Sequence, residues 1–489
     1  MKFIQVVSIL CLAAAAVQGQ APGRRCANPI VRKEIRQLSQ GERDAFFNAV
    51  KTLQSQGQFD KFPADHLQNS PTIHGNAIFL PWHRRYILEF ERALRRVNPS
   101  VTLPYWDWTM DSQDPASSQV LTGNYVGGNG EGDSKCVATG PFARYNMNVP
   151  NRHCLRRDFN RGNSISSWWP VESMRVMTND AQTYRDLREG LEFGQHGNVH
   201  LGVRGDMEAM YAPNDPIFFL HHAMCDKVWS VWQLQDPTNR VYMYDGEDHQ
   251  GRPVTLDDTL PALPGRVGDM MDQYSQNVCY EYTTSLYDQG MRANAPQPQP
   301  PRNANNDNTP PPRDAQTGNG NQQVAPQRGN RQQEQQQEDD DGFLPDDDNF
   351  DFAPVRRRSY SVTAPGDNGP AYSTDEAKPQ SPKHRRKGGK HRKAKLSPPE
   401  RLPESWIKMN CLNATRVRSF EDRHFSIIEA INNLEDYVPM VFRSVTDAIE
   451  PIIDGTGLLA DSLLDGLLGH SHSSKDRLSS SDEFTTYQK

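Results

Sequence analysis

Residues 213–226 read PNDPIFFLHHAMCD and place two adjacent histidines, His221 and His222, at the end of a run of bulky apolar residues. Pro216 suits the first turn of a helix, and apolar residues continue to about Gln235, so the stretch predicts a buried helix. Neighbouring side chains of a helix point about 100° apart, so the two imidazoles cannot face the same point. The stretch therefore predicts different roles for the two histidines.

Three further helices are predicted before this one. The sequence Ser39-Gln40-Gly41-Glu42 is a capping box that opens the first. The second covers about 82–97, WHRRYILEFERALRRV, and the third lies around 186–203. Strand signals are few and short. Four core helices with long loops between them predict a mainly α protein built as a helix-dominated bundle.

The composition indicates that only part of the chain folds. The 489 residues allow two or three domains, but the apolar content is only 35 %, with 34 glycines and 36 prolines. The net charge of −7 gives no overall nucleic-acid signature, so nucleic acid is not expected as a partner. Charge has to be interpreted segment by segment.

The N-terminal residues 1–19 have the pattern of a secretory signal peptide, with Lys2, an apolar run and a small-residue cleavage site. No later segment approaches 18 uninterrupted apolar residues, so we expect a soluble, secreted protein with no membrane span. Six cysteines remain, which suggests disulfides. Cys136 and Cys154 are predicted to pair, and Cys225, in an apolar helical run, is predicted to be free.

The chain divides into four parts by composition. After residues 1–19, residues 20–292 are globular, 293–399 form a predicted disordered linker, and 400–489 form a C-terminal extension with helical periodicity and a disordered end. The linker has an acidic block at 334–351 and a basic block at 383–395. These blocks either keep the linker solvated or bind something of opposite charge, such as an extracellular matrix polymer. Asn413 begins the sequon Asn-Ala-Thr, which predicts a glycoprotein.

The histidine pattern predicts a metal site. His196 and His200 are spaced i, i+4, which lets two imidazoles on one helical face reach one ion. His66, His74 and His83 form an upstream group. Each alone is more typical of an ordinary core or surface histidine, but together with the double histidine they predict a binuclear site. Imidazole suits copper, zinc, iron or nickel, and the lack of H-E-x-x-H, C-x-x-C or nearby carboxylates favours copper.

Four stretches of the chain resemble the tyrosinase and catechol oxidase family of type-3 copper proteins. They are HGNAIFLPWHRRYILEFERALR from residue 74, LPYWDWT from 103, HGNVH from 196, and NDPIFFLHHAMCDKVWSVWQ from 214. The resemblance covers about residues 26–285 and ends at Tyr280-Glu281-Tyr282, which is similar to the tyrosine motif that closes the family's core domain.

The resemblance implies an antiparallel four-helix bundle around two copper ions. The implied ligands are His66, His74 and His83 for one copper and His196, His200 and His222 for the other, with His221 packed beside them. The implied activity uses O2 to oxidise o-diphenols, and in some relatives monophenols, to o-quinones. Implied substrates are phenolic small molecules or tyrosyl and DOPA side chains of proteins.

Two positions refine the implied activity. Many bacterial relatives have an asparagine after the first histidine of the second copper set, which acts with a glutamate-held water to deprotonate monophenols. This chain has Gly197 there, with Glu192 or Glu189 as the candidate to hold a water, so we expect diphenol oxidation to dominate. The position that in plant catechol oxidases gates the first copper falls near Ala209, and its small side chain predicts an open site for bulky phenols.

Other neighbours of the histidines have predicted supporting roles. Many relatives have a cysteine two residues before the second histidine of the first set, linked to a histidine, but Thr72 stands there in this chain. Asp226 with Arg84 or Arg85 is expected to orient ligands, the alternative being an ordinary surface ion pair. Five tryptophans are interpreted as core residues: Trp82, Trp106, Trp108, Trp229 and Trp232.

Three functions compete at this stage. The first is a secreted phenol oxidase that makes quinones for pigment or protein crosslinking. The second is a hemocyanin-like oxygen carrier, and the third is a matrix protein that kept the fold without activity. In some relatives a C-terminal extension covers the copper site until it is cleaved, and residues 400–470 are a candidate for the same role. The basic block at 383–395 offers nucleophiles that add to quinones.

Overall fold

The computed structural model describes residues 26–291, 394–435 and 437–442. The predicted signal peptide and the acidic block lie outside the described residues. The α-helices are α1 (Gln40–Ser55), α2 (Lys61–Ile73), α3 (Phe79–Val97), α4 (Val171–Asp180), α5 (Tyr184–Leu191), α6 (Gly197–Val203), α7 (Ile217–Gln235), α8 (Pro237–Arg240), α9 (Glu404–Met409) and α10 (Ala414–Asn433). A π-helical turn, Glu192–His196, joins α5 to α6.

Short strands and 3-10 turns complete the described secondary structure. The strands are β1 (Ile30–Arg32), β2 (Gly130–Glu131), β3 (Cys136–Val137), β4 (Asn146–Met147), β5 (His153–Cys154) and β6 (Tyr280–Tyr282). The 3-10 turns are Ile35–Gln37, Trp108–Asp111, Pro115–Ser117, Gln119–Leu121, Gly205–Glu208, Ala212–Asn214, Val267–Met270 and Met440–Phe442. The described part is therefore mainly α, which confirms the predicted fold class.

The core is a bundle in which α3 packs against both α1 and α7. All five tryptophans predicted to lie in the core are fully buried. Phe90 of α3 stacks on Phe219 of α7, and Phe62 of α2 meets Phe90 edge-on. Helix α7 is buried on nearly all sides from Ile217 to Gln233, which agrees with the buried helix predicted from its sequence.

Helix α1 begins as the capping box predicted. The Ser39 hydroxyl accepts the Glu42 N–H at 3.3 Å, and the Glu42 carboxylate accepts the Ser39 N–H at 2.8 Å. Helix α2 was not predicted, although it contains His66. Its sequence KFPADHLQNSPTI has two prolines and no strong apolar period, and Pro71 near its end masks the helical pattern.

The third predicted helix is interrupted at its centre. The π-helical turn contains Gly194, whose φ of −104° and ψ of −110° are not helical. An extra residue in a helical turn rotates everything that follows it. The turn therefore sets the direction in which α6 presents His200 relative to the helix before it.

A parallel pairing of β1 with β6 joins the two ends of the globular part, with Arg32 opposite Tyr282. The Cys26–Cys279 disulfide lies beside this pairing. The predicted Cys136–Cys154 disulfide is confirmed. Within the described ranges, Cys225 is a buried free thiol, as predicted, and Cys411 is an exposed one.

Residues 394–442 pack on the globular part. Leu396 is buried and exchanges two hydrogen bonds of 2.8 Å with the side chain of Asn432, so ordered packing begins before residue 400. Farther along, an apolar cluster joins the two parts: Phe193, Leu402, Trp406, Ile407, Leu412 and Val417. None of the described helices is both long enough and apolar enough to cross a membrane.

Candidate metal centre

Two groups of buried histidines face each other inside the bundle. One group contains His66, His74 and His83, and the other His196, His200, His221 and His222. Within each group, the candidate ligand atoms lie within 4.8 Å of one another. The structure therefore brings together all six histidines named as ligands from the sequence, and it adds His221 to the second group.

In the first group, backbone carbonyls fix the orientation of every ring. The Nδ1–H groups of His66, His74 and His83 donate to the carbonyls of Met210, Ser70 and Phe79 at 2.6, 3.1 and 2.7 Å. The Nε2 atoms of His66 and His83 are buried and have no hydrogen-bond partner among the described residues. A fixed Nδ1–H leaves Nε2 with its lone pair available to a metal ion.

The second group is less completely fixed. His200 donates from Nδ1 to the Met207 carbonyl at 2.5 Å, which leaves its buried Nε2 without a partner among the described residues. Neither ring nitrogen of His196 or His222 has a hydrogen-bond partner in this part of the chain. Buried polar atoms in folded proteins normally have partners, so these ring nitrogens fit a site that binds a metal ion.

The adjacent histidines of α7 have different surroundings. The ring of His222 stacks on His83 of the first group, with centroids 4.4 Å apart and an interplanar angle of 8°. The ring of His221 stacks instead on His196, with centroids 5.5 Å apart, and its Nε2 lies 3.9 Å from the sulfur of Cys225. Only His222 of the pair thus makes a ring contact with the first group among the described residues.

The donor set fits copper. Burial, the largest cause, lowers the pKa of His74 and of His200 to about 4 and holds the pKa of the other histidines of both groups well below its usual range. The imidazoles are therefore neutral at physiological pH, as ligation requires. In the described ranges, each group consists of histidine alone, a ligand type that suits copper better than hard cations such as Mg²⁺.

A buried ion pair joins the helices of the two groups. Arg84, next to His83, donates from Nε to Asp226 Oδ1 at 2.5 Å, and both side chains are almost completely buried. Asp226 also accepts the hydroxyl groups of Tyr280 and Tyr282. The alternative of an ordinary surface pair is wrong for Arg84, whereas Arg85 forms a half-buried pair with Glu89.

Glu192 forms a second connection between the two histidine groups, because it lies in the turn that contains His196 and bonds to the backbone beside His74. Its carboxylate accepts the N–H of Gly75, beside His74, at 2.6 Å and the Arg188 guanidinium at 2.8 Å. Burial raises the pKa of Glu192 to about 7, against the lowering effect of Arg188. Its predicted role of holding a water stays a prediction, as does that of Glu189, which is paired with Arg188.

The predicted gate position, Ala209, is half-buried in the segment 205–214. It lies between Met207 and Met210, whose carbonyls hold His200 and His66. Ala209 is therefore within a segment that contacts both histidine groups through its backbone. Its role as an open gate stays a prediction.

Helix α9 covers the second group of histidines. The ring of Trp406 lies 5.5 Å from that of His200 and 6.4 Å from that of His196, measured between centroids. Gly197 leaves room for this contact, because a Cβ there would lie 2.8 Å from Leu402 Cδ2 and 2.9 Å from Trp406 Nε1. In this structure, Trp406 occupies the face of the histidine centre beside Gly197.

Sequence reasoning did not find Trp406, Met207 or Met210. The two methionines act through carbonyl oxygens, which carry no side-chain signal. Trp406 did have a signal, since it is the single tryptophan of the chain after Trp232. A lone large aromatic residue in an extension is typical of a segment that packs on another surface.

Comparisons with known proteins agree with this geometry. Residues 56–235 match the family model described as the common central domain of tyrosinase. A tyrosinase-like protein of Diaporthe leptostromiformis, phomQ1', is 33% identical over 308 residues, which cover 53% of this chain and 82% of that protein. The tyrosinase of Streptomyces glaucescens is 36% identical over 260 residues, covering 47% of this chain and 94% of the relative.

Solved structures include a similar protein. A mutant form of a polyphenol oxidase from Thermothelomyces thermophila is 26% identical, with a TM-score of 0.47. The match covers 52% of this chain and 89% of that one.

Proposed function

This chain belongs to the tyrosinase family, and we propose that it is a secreted phenol oxidase that uses two copper ions and O2 to convert o-diphenols into o-quinones. Members of this family are copper oxidoreductases. The observation that carries the proposal is the pair of facing histidine groups, whose buried ring nitrogens lack partners within the described ranges. We propose pigment formation or crosslinking of matrix protein as its role, because the chain has a predicted signal peptide and a charged linker.

The protein's own residues would hold and shield the metal ions. His66, His74 and His83 would hold one ion, and His196, His200 and His222 the other. The copper pair, when bound, supplies the reaction of O2 and accepts the electrons of the phenol. The protein keeps the imidazoles neutral by burial, fixes four of them by carbonyl hydrogen bonds, and excludes water from the centre.

We propose that diphenols are the preferred substrates. Gly197 brings no polar side chain to the position beside His196, and both oxygens of Glu192 already accept protein hydrogen bonds. Oxygen uptake should therefore be fast with catechol and slow with a monophenol primed by trace diphenol. Equal rates on the two substrates would contradict this preference.

The same experiment separates the competing functions. A recombinant chain loaded with copper should contain two ions and consume O2 with catechol. Two ions with reversible O2 binding but no turnover would favour the hemocyanin-like carrier, and the absence of bound copper would favour the matrix protein. Peptide-borne DOPA tested beside free catechol examines the open site proposed at Ala209.

We also propose that residues 394–442 keep the enzyme inactive until they are displaced. Trp406 and Leu402 lie over the face next to Gly197, where a phenol would approach the second histidine group. Ion pairs support the contact at its edge, including Arg161 with Glu400 and Arg416 with Glu189. Cutting the linker alone would leave these contacts in place, so activation should also require dissociation.

The linker is proposed to contact the material that the enzyme hardens. Its basic block at 383–395 carries lysines and histidines, which are nucleophiles that add to quinones. Mass spectrometry of protein recovered from hardened material should find quinone adducts in this block. Unmodified peptides throughout the block would contradict the proposal.

A further inference from the structure

One short backbone segment holds a histidine of each group. In the segment 205–214, the Met207 carbonyl accepts the Nδ1–H of His200 at 2.5 Å. Three residues later, the Met210 carbonyl accepts the Nδ1–H of His66 at 2.6 Å. A movement of this segment would turn both rings together, because each ring is oriented by one of its carbonyls.

A buried pair outside the histidine groups fixes the start of this segment. The Nε2 atom of His153 lies 3.1 Å from each carboxylate oxygen of Asp206. The side chains are only 5% and 2% exposed. The Asp206 N–H also donates to the Arg156 carbonyl at 3.0 Å, in the strand-like stretch that follows His153.

The approach of the two stretches is close at Gly205. Its φ is 63°, and a Cβ there would lie 2.3 Å from the Arg156 carbonyl oxygen. Only glycine permits both this conformation and this distance. The backbone contact thus brings Asp206 within reach of His153.

The hairpin that carries His153 is itself held in place. Strands β4 and β5 pair antiparallel, and the Cys136–Cys154 disulfide fixes the residue after His153. At the other end of the segment, the Asn214 side-chain amide donates to the Val149 carbonyl at 2.7 Å. The hairpin therefore holds the segment near both ends.

The hydrogen bonds define where a proton must lie. His153 Nδ1 lies 2.7 Å from the Asn151 carbonyl, which only accepts, so Nδ1 carries a hydrogen. The contact between Nε2 and the Asp206 carboxyl then needs one further proton, carried by either partner. Without that proton, a lone pair would face a carboxylate, and the pair would repel.

We propose that His153 and Asp206 are positioning residues for both histidine groups and act through the carbonyls of Met207 and Met210. This inference rests on the proposed function only in assuming that the groups bind copper. Replacing residues that orient metal ligands typically lowers metal affinity about 10- to 100-fold. Loss of the pair should therefore weaken both sites together.

The test compares copper release from the full chain for three variants. Asp206→Ala removes the pair, whereas Asp206→Asn keeps it, because the Asn amide can donate to Nε2 of neutral His153. Glu208→Gln is the matched control, since Glu208 lies in the same segment but pairs with Arg204 at the surface. Release to a copper chelator should be at least about tenfold faster from both sites in Asp206→Ala and unchanged in the other two.

Two readouts keep this test independent of activity and of folding. In copper-free protein, hydrogen exchange of residues 205–214 should be faster in Asp206→Ala than in Glu208→Gln. If Asp206→Ala does not fold, the inference is tested by measuring copper release at rising pH from the unchanged protein and from Asp206→Asn. Release should accelerate from the unchanged protein when the shared proton is lost, but not from Asp206→Asn. Two other titratable groups face the His153–Asp206 pair. They are Asp215, which is paired with Arg157, and Tyr211, whose ring lies beside that of His153.

Several outcomes would overturn the inference. They are release from Asp206→Ala at the unchanged rate, an equal effect of Glu208→Gln, release accelerated at one site only, or identical pH profiles for Asp206→Asn and the unchanged protein. Copper binding without catechol turnover would instead contradict the proposed function and leave this inference standing. Failure of the unchanged chain to bind copper contradicts the proposed function, and the exchange of residues 205–214 then decides this inference alone.

Discussion

Arg84 and Asp226 form a buried ion pair between α3 and α7, the helices that carry His83 and His222. Asp226 lies one helical turn after His222, and Arg84 directly follows His83. The pair is also packed between Trp229, over which the guanidinium lies at 3.6 Å, and the hydroxyls of two tyrosines. It therefore fixes the register of the two helices relative to each other.

Replacing Arg84 should lower the free energy of unfolding much more than replacing its neighbour Arg85. Arg84→Gln removes one of the two buried guanidinium partners of Asp226, the other being Arg32 at 3.7 Å, and breaking a buried pair typically costs about 3–5 kcal/mol. Arg85→Gln is the matched control, because its partner Glu89 is 27% exposed and Arg85 is 12% exposed. This pair is half-buried and water reaches part of it, so breaking it should cost less than breaking the buried Arg84–Asp226 pair. Urea unfolding of both variants measures the difference, and equal losses would contradict it.

The features that could be predicted from the sequence are those encoded by local patterns of residues. The capping box of α1, the helix that follows Pro216, the Cys136–Cys154 pair and the gathering of seven histidines into a metal site all follow from residue type and spacing. The family resemblance, rather than spacing alone, distinguished His222 from His221.

The features that could not be predicted from the sequence depend on contacts between distant parts of the chain. The Cys26–Cys279 disulfide spans 253 residues, and connectivity of this kind cannot be deduced from sequence. The carbonyls of Met207 and Met210 hold histidines through backbone atoms that every residue has. The position of Trp406 over His200 requires the tertiary packing of an extension separated from the core by a long linker.

The two histidines of α7 should differ in their effect on copper. His222→Gln removes the ring that stacks on His83 and should leave one copper per chain and no catechol oxidation. His221→Gln should leave two coppers, since His221 stacks on His196 and lies near Cys225 rather than contacting the first group. Mass spectrometry of the intact chains measures the copper content of both variants. One copper in His221→Gln with two in His222→Gln would reverse the assignment.

Opening the face beside Gly197 should activate the full chain. Trp406→Ala removes the ring that lies over His200, so kcat/KM for catechol should rise at least about tenfold, equivalent to about 1.4 kcal/mol of improved access. Met409→Ala is the control, because Met409 lies on the same helix and is 38% exposed. Unchanged kinetics in Trp406→Ala, or equal activation by Met409→Ala, would contradict the proposed inhibition.

Acid should loosen the same extension through His424 on α10. Its ring is buried against Phe420 and Trp169, and its Nδ1 lies 2.7 Å from the Ser173 hydroxyl of α4. Burial lowers the pKa of His424 to about 3, with a smaller contribution from Arg423, whereas a released histidine has a pKa of about 6.5.

The lowered pKa determines the direction of the effect. The docked form binds fewer protons than the released form between pH about 6.5 and about 3, so docking is strongest above this interval and weakens as the pH falls through it. The equilibrium should shift toward release by up to about tenfold per pH unit. Other charged groups at this contact include Glu172 of α4, which accepts from Tyr437, and the pairs Arg423–Asp180 and Arg416–Glu189.

Hydrogen exchange of residues 414–433 between pH 7 and 4.5, corrected for the intrinsic pH dependence, measures docking directly. Exchange in the unchanged chain should accelerate as the pH falls below about 6.5. His424→Gln should flatten this dependence, because glutamine can bond the Ser173 hydroxyl but does not titrate in this range. A slope that persists in His424→Gln would assign the acid sensitivity to the Arg423–Asp180 and Arg416–Glu189 pairs instead, since protonation of their carboxylates also weakens docking.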